Sequence, residues 1–251
     1  MEKDKYKTTI TATEFKTNLG KYMDYVIDEH EVVITKNGKK AIRISPYITE
    51  VEKFFTVKEN TVDYQYGGMQ VSYEEFMEIY EKSDLRMEFI NGEIILLASP
   101  SMNHQEIIGN LYSIFRSFLK GKMCKVFLSP FDVIFHKKDL KVPDVMQPDL
   151  LIACDSADMT NEKGSYIGVP SLVVEVLSPS TKSRDMIDKL NTYMISGVKE
   201  FWIINPNKKT VLVYCFKEFA IEEMFLYKDD EHIKSCFLDA FDADIAEVFM
   251  C

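Results

Sequence analysis

With 251 residues, 46% of them hydrophobic and 28% charged, the chain has the composition of a globular protein, enough for one large domain or for one of about 180 to 200 residues with a small appendage. No apolar stretch approaches the roughly 20 residues of a membrane span, and the polar opening MEKDKYKTT has no signal-peptide core, so a cytoplasmic protein is expected. The formal net charge of −10 argues against a uniformly basic nucleic-acid binder, but leaves room for a local basic groove beside carboxylates that a divalent ion neutralises.

In chain order, the first unit is ITATEFKTNLGKYMDYVIDEHEVVITKNGKKAIRISPY, residues 10 to 47. Thr13 reads as an N-cap, and Phe15, Leu19, Tyr22, Met23 and Val26 recur at helical spacing. EVVIT and AIRIS then read as strands joined at Asn37-Gly38, a strong hairpin signal. One helix and one hairpin are too small to fold securely alone, so this unit must pack on a second copy or on the rest of the chain. The weakly periodic stretch that follows, through Gly67-Gly68, reads as a linker over 51–70.

The second unit, 71–251, begins with SYEEFMEIYEKS, an amphipathic helix with a capping box of Ser72 and Glu75. RMEFINGEIILLA is a hairpin turning at Asn91-Gly92, and HQEIIGNLYSIFRSFLKG a long helix closed by Gly121. KVFLSPFDVIF, QPDLLIAC, SLVVEVLS, KEFWIINP and TVLVYCF read as strands, interrupted by a helix from about residue 183 to 196 that ends at Gly197. The predicted class is mixed α/β: a central mixed sheet flanked by helices, preceded by the small helix-plus-hairpin module. Cys124, Cys154, Cys215, Cys236 and Cys251 are odd in number and include no C-x-x-C pair, which speaks against a disulfide framework or zinc site.

Three acidic residues lie in segments that otherwise suit a dry strand: Glu88 in RMEFINGEI, Asp149 in QPDLLIAC and Glu175 in LVVEVLS. Taken singly, each reads equally well as an edge carboxylate paired with Lys or Arg. If the strands of Asp149 and Glu175 are neighbours, however, the two carboxylates converge, and they then need a shared proton or a cation. Mg²⁺ or Mn²⁺ suits such hard oxygen ligands and can act on a phosphodiester. On the following helix Asp185, Lys189 and Tyr193 fall at i, i+4 and i+8, on one face. They are either an ordinary helix pair or a group in which Lys189 reaches the phosphate. Ser178, Ser180 and Thr181 could cap that helix or bind phosphate. His104, opening the long helix, has no partner at ligand spacing and stands second as a site candidate. The chain contains no G-x-G-x-x-G or P-loop to suggest a nucleotide enzyme.

The succession MEFINGEI, SPSMNHQEI, QPDLLIACD, GVPSLVVEVLSPST and GVKEFWIINP resembles the Uma2 family of restriction endonuclease domains, a branch of the PD-(D/E)XK nuclease superfamily, over roughly residues 71 to 249. The resemblance implies an Mg²⁺-dependent endonuclease acting on DNA. In it Asp149, Glu175, Lys189 and Glu88 are catalytic, and Asp149, Glu175 and Val176 are the positions at the metal. Two residues after Glu175 stands Leu177 where the superfamily has lysine. Lys189 on the next helix matches the displaced position and Lys182 competes with it; His104, Asp185 and Tyr193 are further candidates. ATEFKTNL followed by VVITKNGKKA is similar to the Phd/YefM antitoxins, which implies a dimerising module for operator DNA or a toxin. The expectation is therefore a homodimeric DNA endonuclease. The alternative is a non-catalytic DNA-binding regulator built on a nuclease fold.

Overall fold

Residues 7–27, 31–44, 68–83, 85–154, 159–178 and 183–250 are described in the computed structural model of the protein, which divides into two units, Met1–Asp63 and Tyr64–Cys251. In the first, β1 (Lys7–Thr11) runs into α1 (Ala12–Thr17) and α2 (Leu19–Ile27), followed by β2 (Glu31–Lys36) and β3 (Lys39–Ile44). The single expected helix is broken at Asn18, and its cap is Thr11 instead of Thr13: the Thr11 hydroxyl accepts from the Glu14 main-chain N–H at 3.1 Å. A strand that the sequence reading missed, β1, pairs parallel with β2. The hairpin at Asn37-Gly38 holds, with φ of 51° and 74° giving the left-handed pair a tight turn requires. Ile10, Tyr22, Val26, Val32 and Ile34 form the small core. Leu19 and Met23 share the helical spacing but are about half exposed.

The second unit contains β4 (Met69–Gln70), α3 (Tyr73–Lys82), β5 (Met87–Ile90), β6 (Glu93–Leu96), α4 (Met102–Phe118), β7 (Lys125–Leu128), β8 (Val133–Phe135), β9 (Asp144–Met146), β10 (Leu150–Ala153), β11 (Leu172–Val176), α5 (Ser183–Ile195), β12 (Glu200–Asn205), β13 (Thr210–Lys217), β14 (Ala220–Tyr227), β15 (His232–Lys234), β16 (Asp242–Asp244) and α6 (Ile245–Val248). Met69 and Gln70, assigned to the linker from sequence, pair with β6. The Ser72–Glu75 capping box is complete, and Asn91-Gly92 turns the β5–β6 hairpin with φ of 52° and 84°.

Apart from β15 and β16, which pair antiparallel with each other, the strands are shared between two sheets. One is mixed, in the order β14-β13-β12-β11-β10-β7; the other is antiparallel, in the order β4-β6-β5-β9-β8. KVFLSPFDVIF, read as one strand, divides between them, with β7 in the first and β8 in the second. The central strands β10 and β11 of the mixed sheet are buried throughout, which explains their near-continuous apolar runs, whereas β14 at its edge is exposed along most of its length. On one face Leu150, Ile152, Leu172, Val174 and Val176 pack with Ile107, Leu111 and Phe115 of α4 and with Trp202. On the other, Leu151, Ala153, Val173 and Phe201 pack with Val133, Phe135, Met146 and Tyr193. Each large apolar side chain so buried contributes about 1.5–3 kcal/mol.

The structure corrects the reading of the cysteines. It pairs Cys124 with Cys154, at adjoining ends of β7 and β10, and Cys215 with Cys236. Residues 30 and 21 apart in sequence meet because strand pairing and the chain's return to β13 bring them together, which spacing alone cannot show.

Candidate active site

Side chains alternate across a strand, and this places the first two carboxylates. β10 and β11 are antiparallel with Leu150 opposite Val174, so the register continues to set Asp149 opposite Glu175. Both project to the face that carries Leu151 and Val173, toward α5. Asp149 also ties down the end of β11, its Oδ2 accepting from the Val176 main-chain N–H at 2.8 Å. The third carboxylate, Glu88, comes from β5 in the other sheet and is almost wholly buried. Its Oε1 accepts from the Gln147 main-chain N–H at 2.9 Å.

Lys189 joins the two sheets. Its Nζ lies 2.9 Å from Glu175 Oε1 and 3.1 Å from Glu88 Oε1. One helical turn on, the Tyr193 hydroxyl donates to the same Glu175 oxygen at 2.5 Å. The helical spacing of Lys189 and Tyr193 therefore serves one acceptor. The side chain of Asp185 and all of Lys182, Ser180 and Thr181 lie outside the described residues. His104, at the start of α4, sits with Nε2 3.2 Å from Asp149 Oδ2. Its Nδ1 is buried without a hydrogen-bond partner.

The charges explain how these groups titrate. Burial pushes the Glu175 carboxyl up to about 7; Asp149 and Glu88 add to the rise, while Lys189 and Tyr193 oppose it. Burial works against the Lys189 ammonium, yet Glu175 and Glu88 outweigh it and hold its pKa above the ordinary lysine value. Both shifts are upward, which disfavours the charged carboxylate and favours the charged ammonium, because one ammonium serves two carboxylates: it is over-supplied with partners and they are under-supplied. Burial also disfavours the His104 imidazolium, but the Asp149 carboxylate and the Val176 main chain outweigh it and raise its pKa. Tyr193 is raised, first by burial and then by the charge of Glu175.

Glu88, His104, Asp149, Glu175, Val176 and Lys189 line one cleft of about 510 Å³. The pattern reading missed Gln147, which lines it too; so do Arg86 and Ser129. Gln147 stands two residues before Asp149, a spacing that gives it the same side of an extended segment. Also missed was another buried carboxylate, Asp144, in a Pro143-Asp144 pair that duplicates Pro148-Asp149. Asp144 is completely buried and satisfied: Oδ1 accepts from Lys137 Nζ at 2.7 Å and from the Asn91 N–H at 2.9 Å, and Oδ2 from the Thr192 hydroxyl at 2.6 Å. It anchors α5 to the β5–β6 turn and is absent from the cleft lining, whereas Asp149 is part of it.

The residues present fit a divalent ion. Glu88 Oε2 is buried with no hydrogen-bond partner, Glu88 and Glu175 share the Lys189 cation, and Asp149 adds a further negative charge that acts on Glu175. Among the described residues no three His, Cys, Asp or Glu side chains are gathered as a ready-made cage. Mg²⁺ does not require one, since it keeps several waters and takes one or two carboxylates.

Two sheets meeting at a carboxylate-lined cleft define a mixed α/β protein of nuclease-like fold. The chain belongs to the Uma2 family, described as "putative restriction endonuclease", which matches residues 73–241. Residues 7–54 match the antitoxin Phd_YefM family of type II toxin-antitoxin systems. Two proteins of Synechocystis sp. are similar. Slr1290 is 31% identical over 125 residues, 49% of this chain and 62% of its own length; sll1609 is 26% identical over 132 residues, 52% and 72% respectively. The chain thus spans less than two thirds of slr1290. A crystal structure described as a putative nuclease belonging to DUF820, from Anabaena variabilis, superposes with a TM-score of 0.59 at 21% identity, covering 71% of this chain and 97% of that one. That likeness shows the fold. Among the described residues no helix is long and apolar enough to cross a membrane.

Proposed function

We propose that the second unit is a Mg²⁺- or Mn²⁺-dependent DNA endonuclease. The observation that carries this reading is that Glu88, Asp149 and Glu175, brought in by two sheets, line one open cleft, with Lys189 bonded to Glu88 and Glu175 and one Glu88 oxygen unsatisfied. Asp149, Glu175 and the Val176 main chain would hold the ion. When bound it supplies a Lewis acid for the phosphodiester and an acidified water. Lys189, kept charged by its neighbours, is placed to stabilise negative charge developing on the phosphate. Glu88 Oε2 is free to orient or deprotonate a water. His104 and Tyr193 fix the orientations of Asp149 and Glu175.

The match of residues 7–54 to antitoxins supports a second reading: a non-catalytic regulator that binds operator DNA, or a toxin, through its first unit. In both readings the protein acts as a homodimer, since a double-strand cut and a palindromic operator each call for two copies. Supercoiled plasmid incubated with Mg²⁺ or Mn²⁺ separates them. The nuclease nicks it, EDTA stops the nicking, and Glu175→Ala abolishes it. DNA retained without cleavage by wild type or variant would leave the regulator.

A further inference from the structure

We infer that Arg86 is a phosphate anchor for the nucleic-acid strand in the cleft; this rests on the reading of the cleft as a DNA site. Arg86 immediately precedes β5 and stands two residues before Glu88, so its side chain is directed to the same face of the sheet, about 6.6–6.8 Å along the strand. Arg86 is an exposed residue and lines the cleft with Glu88, Asp149 and Glu175.

Its partners are neutral. Nε and Nη2 donate to Gln147 Oε1 at 3.2 and 3.1 Å, and Nη2 donates to Ser129 Oγ at 2.7 Å. Among the described residues no carboxylate lies within ion-pair distance of Arg86, and Nη1 has no hydrogen bond. A positive charge in a chain of net charge −10 is thus held without a counter-charge beside it. Two N–H groups remain free in the planar fork that suits a phosphate.

The holder is itself held. Gln147 is buried, and its amide nitrogen donates to Asp132 Oδ1 at 2.8 Å and to the Tyr80 hydroxyl at 3.2 Å, which fixes the amide oxygen toward Arg86. Tyr80 in turn donates to both Asp132 oxygens, at 2.9 and 2.8 Å; burial and then the Asp132 bond push its pKa up to about 12, so it remains a donor. The Gln147 main-chain N–H meanwhile binds Glu88. One residue therefore sets both the guanidinium and the carboxylate, and a strand gripped by Arg86 would be in register with the acidic cluster. A guanidinium wanted only for structure would not need its charge here, since neutral acceptors are all it meets.

The chain has four arginines, Arg43, Arg86, Arg116 and Arg184, so chemical footprinting is clean. The full-length protein is treated with phenylglyoxal, with and without a short random-sequence duplex, with Ca²⁺ as the oxygen-liganding ion, and each arginine is read by mass spectrometry. Duplex binding is followed by anisotropy in the same buffer. The expected result is loss of modification at Arg86 while Arg116 reacts as before. Arg86→Met should lower the slope of log Kobs against log salt by about 0.9, the value of one phosphate contact, and Arg86→Lys should preserve it. If Arg86→Met does not fold, the wild-type footprint decides. Bound duplex with Arg86 still fully reactive, including protection confined to Arg43, overturns the anchor and leaves the nuclease reading to the plasmid assay. Protection of Arg86 without nicking keeps the anchor and removes the nuclease. Failure to bind duplex at all overturns both.

Discussion

Replacing Lys189 with methionine tests the charge arrangement most directly. The lysine side chain is 11% exposed and its partners Glu175 and Glu88 only 9% and 1%. Methionine refills most of the volume, so the principal loss is the cation. Two buried carboxylates are then left facing each other, and breaking a buried pair in this way costs about 3–5 kcal/mol. For a unit of this size that corresponds to a fall of roughly 6–20 °C in melting temperature. Protonation of one carboxyl relieves the repulsion, so the loss should be greatest at pH 8 and shrink toward pH 5. Adding Glu175→Gln removes one of the stranded charges, and the double variant should recover part of the stability. Thermal and urea denaturation of the wild type and the two variants at both pH values provide the measurement. A loss below about 1 kcal/mol, the range of exposed pairs, or one independent of pH would refute the idea that Lys189 neutralises the cluster.

The wild-type protein should show the same tension in its pH profile. Glu175 titrates at about 7 in the fold against an ordinary value of 4.5, so the folded state holds a proton that the unfolded chain releases between those values. Its contribution is therefore full below about pH 4.5 and declines as pH rises to 7, by on the order of 3 kcal/mol. If Mg²⁺ binds the carboxylates, it should raise the melting temperature more at pH 8 than at pH 5; equal shifts would contradict this. Asp144→Asn leaves the buried Lys137 ammonium without its charged partner and should cost about 3–5 kcal/mol in urea denaturation, with loss of any nuclease activity as α5 loosens. Gly92→Ala forces a side chain into φ of +84° with its Cβ 3.1 Å from Gln70 Oε1, and should cost about 1–2 kcal/mol without altering residues in the cleft.

How far the sequence speaks can be followed residue by residue. Local signals are legible where the physics is local. Ser72 and Glu75 satisfy helix-end N–H groups within one turn, and Asn37-Gly38 and Asn91-Gly92 adopt the left-handed backbone of tight hairpins. Glu88, Asp149 and Glu175 stand out because ionised groups are costly in dry strands, and Lys189 with Tyr193 by helical period. The break at Asn18 and the strand before it escape, since β1 acquires its partner only from β2, some 24 residues away.

What the tertiary structure alone decides is which charges meet. Pro143-Asp144 and Pro148-Asp149 look equivalent in the chain. One is satisfied by Lys137, Asn91 and Thr192, the other faces the cleft, and only the assembly of the two sheets distinguishes them. Likewise the Glu88–Lys189 contact spans 101 residues, and the Arg86–Gln147 contact 61. The cysteine pairs depend on the same distant folding. The sequence by itself determined the acidic residue types, their strands and the helix that carries the lysine, because propensity, period and desolvation act over a few residues. Their convergence required strand order and register, which arise from packing over the whole unit.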